Sequence, residues 1–199
     1  MKLRFNKKKH LYTLDGVIIP GYSEIAKTMG IVNYKNTPGY LLEPAQKFGS
    51  AGHFATRLWD EKRLDEKTLS IPLIPCLEAY KSFIKYHDVK ILTKYIERPI
   101  CSYKYRYGIT PDRICLIKGE LSILEFKFVE VMSPGTAIQL AAQKLAANEY
   151  YGIKIIRRYA LQLKLNGGFN IEIYKDNSNE NTFLCFLGGY NWLKKNKQI

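Results

Sequence analysis

Apolar and polar residues change their spacing several times along the chain, and each change marks an element. LYTL (11–14) and VII (17–19) are short apolar runs on either side of Asp15-Gly16, a pair suited to the positive φ angles of a tight turn, so the chain is expected to open with a β-hairpin. Ser23 is placed to cap a short helix, SEIAKTMG, that stops at Gly30, and NYKNTPGY (33–40) is then a loop marked by Asn, Pro and Gly. From Pro44 to Lys67 the period is helical, with Phe48, Phe54, Leu58 and Leu64 available for a core face, charges opposite, and His53 inside the run. Pro75 opens another helix, CLEAYKSFIKYH, in which Leu77, Tyr80, Phe83, Ile84 and His87 recur at three- and four-residue spacing, so His87 is read as a packing residue.

The period then shortens. VKILTKYIERPICSYKYRYGI has the β-branched and aromatic enrichment of strands, broken at Pro99, and it runs into DRICLI and LSILEFKF. The Ala-rich SPGTAIQLAAQKLAANEYYG predicts a helix of about four turns ending at Gly152. KIIRRYALQLKL and FNIEIY flank Asn166-Gly167-Gly168 as a second hairpin, KDNSNENT is a polar loop, and FLCFLGGYNWLKKNKQI is a short apolar element with a basic tail. Helices, a β-meander, a helix and strands again predict an α/β or mixed α+β fold, and a length of 199 residues predicts one domain over 1–199.

Within DRICLIKGELSILEFKF the charges break the pattern. With Lys118-Gly119 as the loop of a hairpin, Ile117 faces Glu120 and Asp112 faces Glu125; with Gly119-Glu120 as the loop, Asp112 faces Lys127. Either register puts Asp112, Glu125 and Lys127 on one face with Ile114, Leu116, Leu121 and Ile123, while Leu124, Phe126 and Phe128 occupy the other. Two carboxylates roughly 5 Å apart repel by about 3 kcal/mol at an effective dielectric of about 20, and burial adds to this, so a positive group is needed. Lys127 alone would supply it as a structural ion pair. A hard divalent cation on Asp112 and Glu125 does so better, and leaves room for a phosphate oxygen and an attacking water that Lys127 can orient.

Composition narrows the partner. There are 31 Lys+Arg against 18 Asp+Glu, a formal net charge of +13 whose field favours polyanions, nucleic acid first. No apolar run reaches the ~20 residues that cross a bilayer, and the basic start MKLRFNKKKH lacks the apolar segment of a signal peptide, so a soluble, cytoplasmic protein is expected. Cys76, Cys101, Cys115 and Cys185 form no CxxC pair and are read as buried free thiols.

Pro111-Asp112 and Glu125-Phe126-Lys127, with twelve residues between Asp112 and Glu125, resemble the motif of the PD-(D/E)XK nuclease superfamily. Gly49-Ser-Ala-Gly-His53 resembles the Gly-x-x-x-His helix of the RecB-type and phage exonuclease-like branch, which implies His53 as a further metal ligand. Gln139, eleven residues after Phe128, matches the Gln of that branch's Gln-x-x-x-Tyr motif, which helps position DNA; Gln143 stands where the tyrosine is expected, and Tyr150 is a distant substitute on the same helix face. The N-terminal HLYTLDGVIIPGYSEI is similar to the opening of small phage-type members, and Glu97 lies where many members keep a glutamate near the site.

The resemblance implies a restriction-endonuclease-like core, a central mixed sheet flanked by helices, and a Mg²⁺- or Mn²⁺-dependent deoxyribonuclease acting in DNA end processing, recombination or repair. Asp112 and Glu125 would hold metal, with His53 and the Phe126 carbonyl as further ligands, and Lys127 would assist the water. Iron–sulfur relatives need a cysteine cluster near the C-terminus, where only Cys185 lies, so no cluster is expected. An exonuclease is the leading expectation. A structure-specific endonuclease, a weakly catalytic DNA end- or junction-binding module and an RNA-directed protein are the alternatives, and homo-oligomerisation is left open.

Overall fold

The computed structural model describes residues 1–32 and 38–199, so most of the expected 33–40 loop lies outside the described residues. The hairpin forms around Asp15-Gly16 as β2 (Leu11–Leu14) and β3 (Val17–Ile19), but it is joined by β1 (Leu3–Asn6), making a three-stranded sheet in the order β1-β2-β3. The lysines that hid β1 at 7–9 lie in its turn to β2, and within the strand intermediate and exposed residues alternate, the mark of a half-buried strand. This small sheet docks through Tyr12, whose ring occupies the space a Cβ would need at Gly108 and whose hydroxyl meets Thr110 Oγ1 at 2.8 Å, two residues before Asp112.

Helix α1 spans Tyr22–Thr28, with Gly21 rather than Ser23 at its N-cap; Ser23 sits inside the first turn and is exposed. Helix α2, Gly39–Asp60, begins before Pro44 and ends before Lys67, which falls in a 3₁₀ turn, Glu66–Thr68. Pro44 removes a hydrogen bond from the second turn of α2 without ending it. Its buried residues are the small Gly52, Ala55 and Thr56, whereas Phe54, expected in the core, is exposed. Helix α3 spans Ile74–Tyr86 with Pro75 in its first turn; His87 caps its C-terminus, the ring packed on Phe83 and Phe169.

Five strands form the central mixed sheet: β4 (Val89–Ile91), β7 (Arg113–Ile117), β8 (Glu120–Lys127), β9 (Arg157–Leu163) and β10 (Phe169–Ile173), in the order β10-β9-β8-β7-β4. Between β4 and β7 the chain makes a 3₁₀ turn, Thr93–Tyr95, and a separate two-stranded pair, β5 (Ile100–Ser102) and β6 (Tyr107–Ile109). Strand β8 pairs antiparallel with β7 and parallel with β9, and the parallel step is bridged by α4 (Gly135–Tyr151), a connection that needs a crossover element. Helix α4 ends, as its sequence predicts, at Gly152 in the left-handed region, φ 63°.

The chain closes with α5, Ser178–Lys195, an 18-residue helix where a polar loop and a short apolar element are expected. The Asp176 carboxylate accepts from the Ser178 amide at 2.8 Å, so the helix starts within the polar stretch. Phe183, Leu187 and Tyr190, at i, i+4 and i+7, are its buried stripe, and Cys185 faces outward, correcting its reading as a buried thiol; Cys76, Cys101 and Cys115 are buried. The five helices among the described residues divide over the sheet: α1, α4 and α5 share one core with Ile114, Ile123 and Ala160, and α3 shares the other with Cys115, Leu124, Phe126 and Leu161, with Phe48 and Trp59 of α2 packed against that second core. Among the described residues no helix is long and apolar enough to cross a membrane.

Candidate active site

The hairpin of β7 and β8 turns at Lys118-Gly119, with φ 51° and 77°, the two positive values of a type I′ turn. That selects the first of the two registers: Ile117 pairs with Glu120 and Arg113 with Leu124, so Asp112, one residue before β7, faces Glu125. The Phe126 amide donates to Asp112 Oδ2 at 2.8 Å and fixes that carboxylate against the edge of β8. Ile114 and Ile123 enter the α4–α5 core while Leu124 and Phe126 enter the other, so the charged triad sits where the α4-side face runs out of apolar residues.

Helix α4 holds Glu125 from above. Gln139 Nε2 donates to Glu125 Oε1 at 2.7 Å, Gln143 Nε2 donates to Oε2 at 2.7 Å, and Lys127 Nζ reaches both Glu125 Oε1 at 3.0 Å and Gln139 Oε1 at 2.8 Å. Residues 139 and 143 are four apart on a helix and point to one carboxylate, so the side chain that replaces the expected tyrosine is a direct partner of Glu125. Gln143 is fully buried, and its Oε1 has no hydrogen-bond partner among the described residues. Tyr150 packs instead against Tyr103 and Tyr151, beside the N-terminal sheet.

Helix α2 supplies His53, whose Nδ1 lies 3.3 Å from Asp112 Oδ1 and whose ring packs against Phe126 and Phe128. Its approach depends on Gly52: a Cβ there would stand 2.4 Å from the Phe128 ring, whereas one at Gly49, the glycine of the Gly-x-x-x-His pattern, would meet nothing within 4 Å. Gly49→Ala is therefore expected to leave stability unchanged or raise it by up to ~1 kcal/mol, and Gly52→Ala to lower it by about 1–3 kcal/mol, in urea titrations of the two variants. Equal effects at both positions would show that the Phe128 contact does not set the helix position.

Electrostatics separate the two carboxylates. Burial by itself would raise Asp112, but His53, the Phe126 amide and Lys127 overcome it and hold the carboxyl at about 2. For Glu125, burial and then the Asp112 charge push the pKa up, and Lys127 and Gln143 offset only part of that. Burial works against a charged His53, yet the Asp112, Glu125 and Glu97 charges prevail and raise its pKa. One carboxylate firmly ionised beside another held toward neutrality is a pattern of sites that do acid–base or metal chemistry.

A second layer of charge lies under the first. Arg113, the residue after Asp112, is fully buried; its Nε donates to Asp60 Oδ2 at 2.6 Å, its Nη1 to the Asp112 carbonyl at 2.8 Å, and its guanidinium stacks on the Phe126 ring at 4.9 Å. Asp60 also accepts from the Tyr80 hydroxyl at 2.9 Å, so α2, α3 and β7 meet at one buried ion pair directly behind the site. Glu97 stands beside it: its amide donates to the Asp112 carbonyl at 3.1 Å, and its carboxylate takes Arg57 at 3.1 Å and lies 3.7 Å from Arg113. Neither Arg113 nor Asp60 is marked by motif spacing. The one signal was an arginine inside an otherwise apolar strand.

Beside the triad, a cleft of about 790 Å³ is lined by Tyr22, Ser23, Lys27, Leu42, Gln46 and Gln139, from α1, α2 and α4. Tyr22 stands near enough to Glu125 for that charge to add to burial in raising its phenol pKa, and sequence spacing gave it no role. Among the described residues no three His, Cys, Asp or Glu side chains form a ready-made metal nest. The donor chemistry still fits one hard divalent cation, because such ions are held by one or two carboxylates with water and main-chain oxygens completing the shell. No protein-family model matches the chain, and no curated protein matches it.

Proposed function

We propose that the protein is a divalent-metal-dependent deoxyribonuclease with a restriction-endonuclease-like core. The observation that carries this reading is the register that sets Asp112 opposite Glu125, with Lys127 3.0 Å from Glu125 on the same face. Asp112, Glu125 and His53, with the Phe126 carbonyl, would hold Mg²⁺ or Mn²⁺, which supplies an activated water and neutralises charge on the phosphate. Lys127, whose Nζ lies 3.0 Å from Glu125 Oε1, would orient the attacking water or steady charge on the phosphate oxygens. Gln139 and Gln143 keep the Glu125 carboxylate turned toward the site, and His53 fixes the second oxygen of Asp112. A net charge of +13 draws the polyanion, and the cleft lined by Lys27 and Gln139 gives a strand a route to the carboxylates.

Among the described residues no cluster of His and Cys forms a zinc module, and on this reading phosphate contacts dominate and cutting is sequence-nonspecific. Strand access then limits the rate, and free ends provide it. Linear duplex DNA is expected to be degraded at least about tenfold faster than covalently closed circular DNA of the same sequence, releasing short products in Mn²⁺ or Mg²⁺. Comparable nicking of the closed circle would make the protein an endonuclease.

A second reading is favoured by one contact set. Glu125 is already engaged by Lys127, Gln139 and Gln143, a neutralised arrangement suited to a DNA end- or junction-binding module with little chemistry. The same assay separates the two, since a binding module shifts end-labelled DNA in a gel and leaves it uncut in either metal.

A further inference from the structure

Strand β9 carries a second concentration of charge. The parallel register sets Arg157 and Arg158 beside Ser122 and Ile123, and Gln162 beside Lys127, so Arg158 lies four residues, ~13 Å, back along the strand from the catalytic end. Here a cavity of about 370 Å³ is lined by Lys144, Lys154, Arg157, Arg158 and Lys175, with Asn177 just before α5 and, among the described residues, no carboxylate.

Arg158 is the unusual member, being only 2% exposed. Its Nη2 donates to the Asp176 carbonyl at 2.5 Å, and its buried Nη1 has no hydrogen-bond partner among the described residues. The neighbouring acids are already engaged: Asp176 by the Ser178 amide and hydroxyl, Glu180 by Lys144 at 2.7 Å, and Glu120 by Arg157 at 2.8 Å. Burial lowers the Arg158 pKa, and the Glu180 and Asp176 charges do not restore it. A buried guanidinium without a bound anion is unfavourable, and its planar donor fork matches phosphate geometry.

We propose that this cavity is a phosphate-binding site separate from the carboxylate site, with Arg158 at its floor and the exposed Lys154 and Lys175 at its rim. A phosphate in the cavity would stand against the Arg158 side chain that lines it and would offer acceptor oxygens of the kind Nη1 lacks. The phosphate group is that of a nucleotide or of a nucleic-acid strand. The site does not depend on the nuclease reading, because none of its residues touches Asp112 or Glu125 and it needs no metal.

The test is an NMR titration of the full chain in EDTA, following arginine side-chain N–H resonances assigned through bonds from the backbone. Inorganic phosphate, added against chloride at constant ionic strength, is expected to shift the Arg158 resonance saturably while the other arginines move little. The double variant Lys154→Ala, Lys175→Ala changes two exposed side chains; it is expected to keep its circular dichroism spectrum and to bind phosphate at least about tenfold more weakly. Thymidine 5′-monophosphate and a dinucleotide diester then identify the source: preference for the monoester assigns a free or terminal phosphate, and equal binding assigns the strand backbone, both upholding the site. An Arg158 resonance that phosphate leaves unmoved, one that drifts unsaturably with all the arginines, or a double variant that binds as tightly as the parent would overturn it.

Discussion

Arg113→Met is expected to destabilise the protein by about 3–5 kcal/mol, the loss that follows when one partner of a buried ion pair is removed. Both side chains of the Arg113–Asp60 pair are fully buried, and after the change Asp60 keeps only the Tyr80 hydroxyl as a donor. Burial already raises the Asp60 pKa, and Arg113 is the main influence holding it down, so the variant's carboxyl titrates higher still. A carboxyl whose folded pKa lies above its unfolded value, ~3.9, costs stability progressively as pH rises past that value toward the folded pKa. The gap between variant and parent is therefore expected to widen between acid and neutral pH in denaturant titrations. Adding Asp60→Leu to Arg113→Met should recover part of the loss, because an apolar pair of similar volume is tolerated where a lone charge is not. A loss under about 1 kcal/mol, unchanged with pH, would mean that the pair does not brace α2 against β7.

Glu125→Gln is expected to act in opposite directions on stability and on activity. The folded state disfavours the ionised Glu125 through burial and the Asp112 charge, so its folded pKa lies above the unfolded value and its charge costs stability at neutral pH. Replacing it with a neutral isostere removes that cost; the single amide oxygen keeps the contact from Gln139, and the new Nε2 donates to Gln143 Oε1 once that amide turns over, so in EDTA the variant should be at least as stable as the parent. Under the proposed nuclease reading, cleavage should nevertheless fall by about 10³-fold, roughly 4 kcal/mol of barrier, because a carboxylate assigned to the metal is gone. Divalent ions should raise the melting temperature of the parent and not of the variant, since only a ligand bound by the folded state stabilises it. A variant that unfolds more easily in EDTA and loses activity in proportion would mark Glu125 as a structural ion-pair partner.

The candidate site was more legible in the sequence than the frame that holds it. Alternation in DRICLI and LSILEFKF and one glycine turn were enough to put Asp112, Glu125 and Lys127 on a common face, because strand period and turn length leave only two registers. The resemblance to a Gln-x-x-x-Tyr motif likewise singled out Gln139 and Gln143 on α4. What the spacing could not give was contact between elements distant in the chain: the parallel pairing of β8 with β9, or the burial of Arg113 against Asp60, separated by 53 residues. Strand β1 was hidden because the lysines of its turn lent it the composition of a basic tail. The start of α5 was hidden because Asp, Asn and Ser favour both loops and helix N-termini. At Gly52 the pattern directed attention to the wrong glycine, since close approach to Phe128 is a tertiary property.

Metal-dependent hydrolysis at the Asp112–Glu125 pair is tested most directly by one time course. End-labelled linear DNA is incubated with the parent protein and with Asp112→Asn, each in Mg²⁺, in Mn²⁺ and in EDTA, and the products are resolved by length. The expected result is cleavage by the parent in either metal, none in EDTA, and a loss of about 10³-fold or more in the variant in both metals. Cleavage by Asp112→Asn at the parental rate, or by the parent in EDTA, would contradict it.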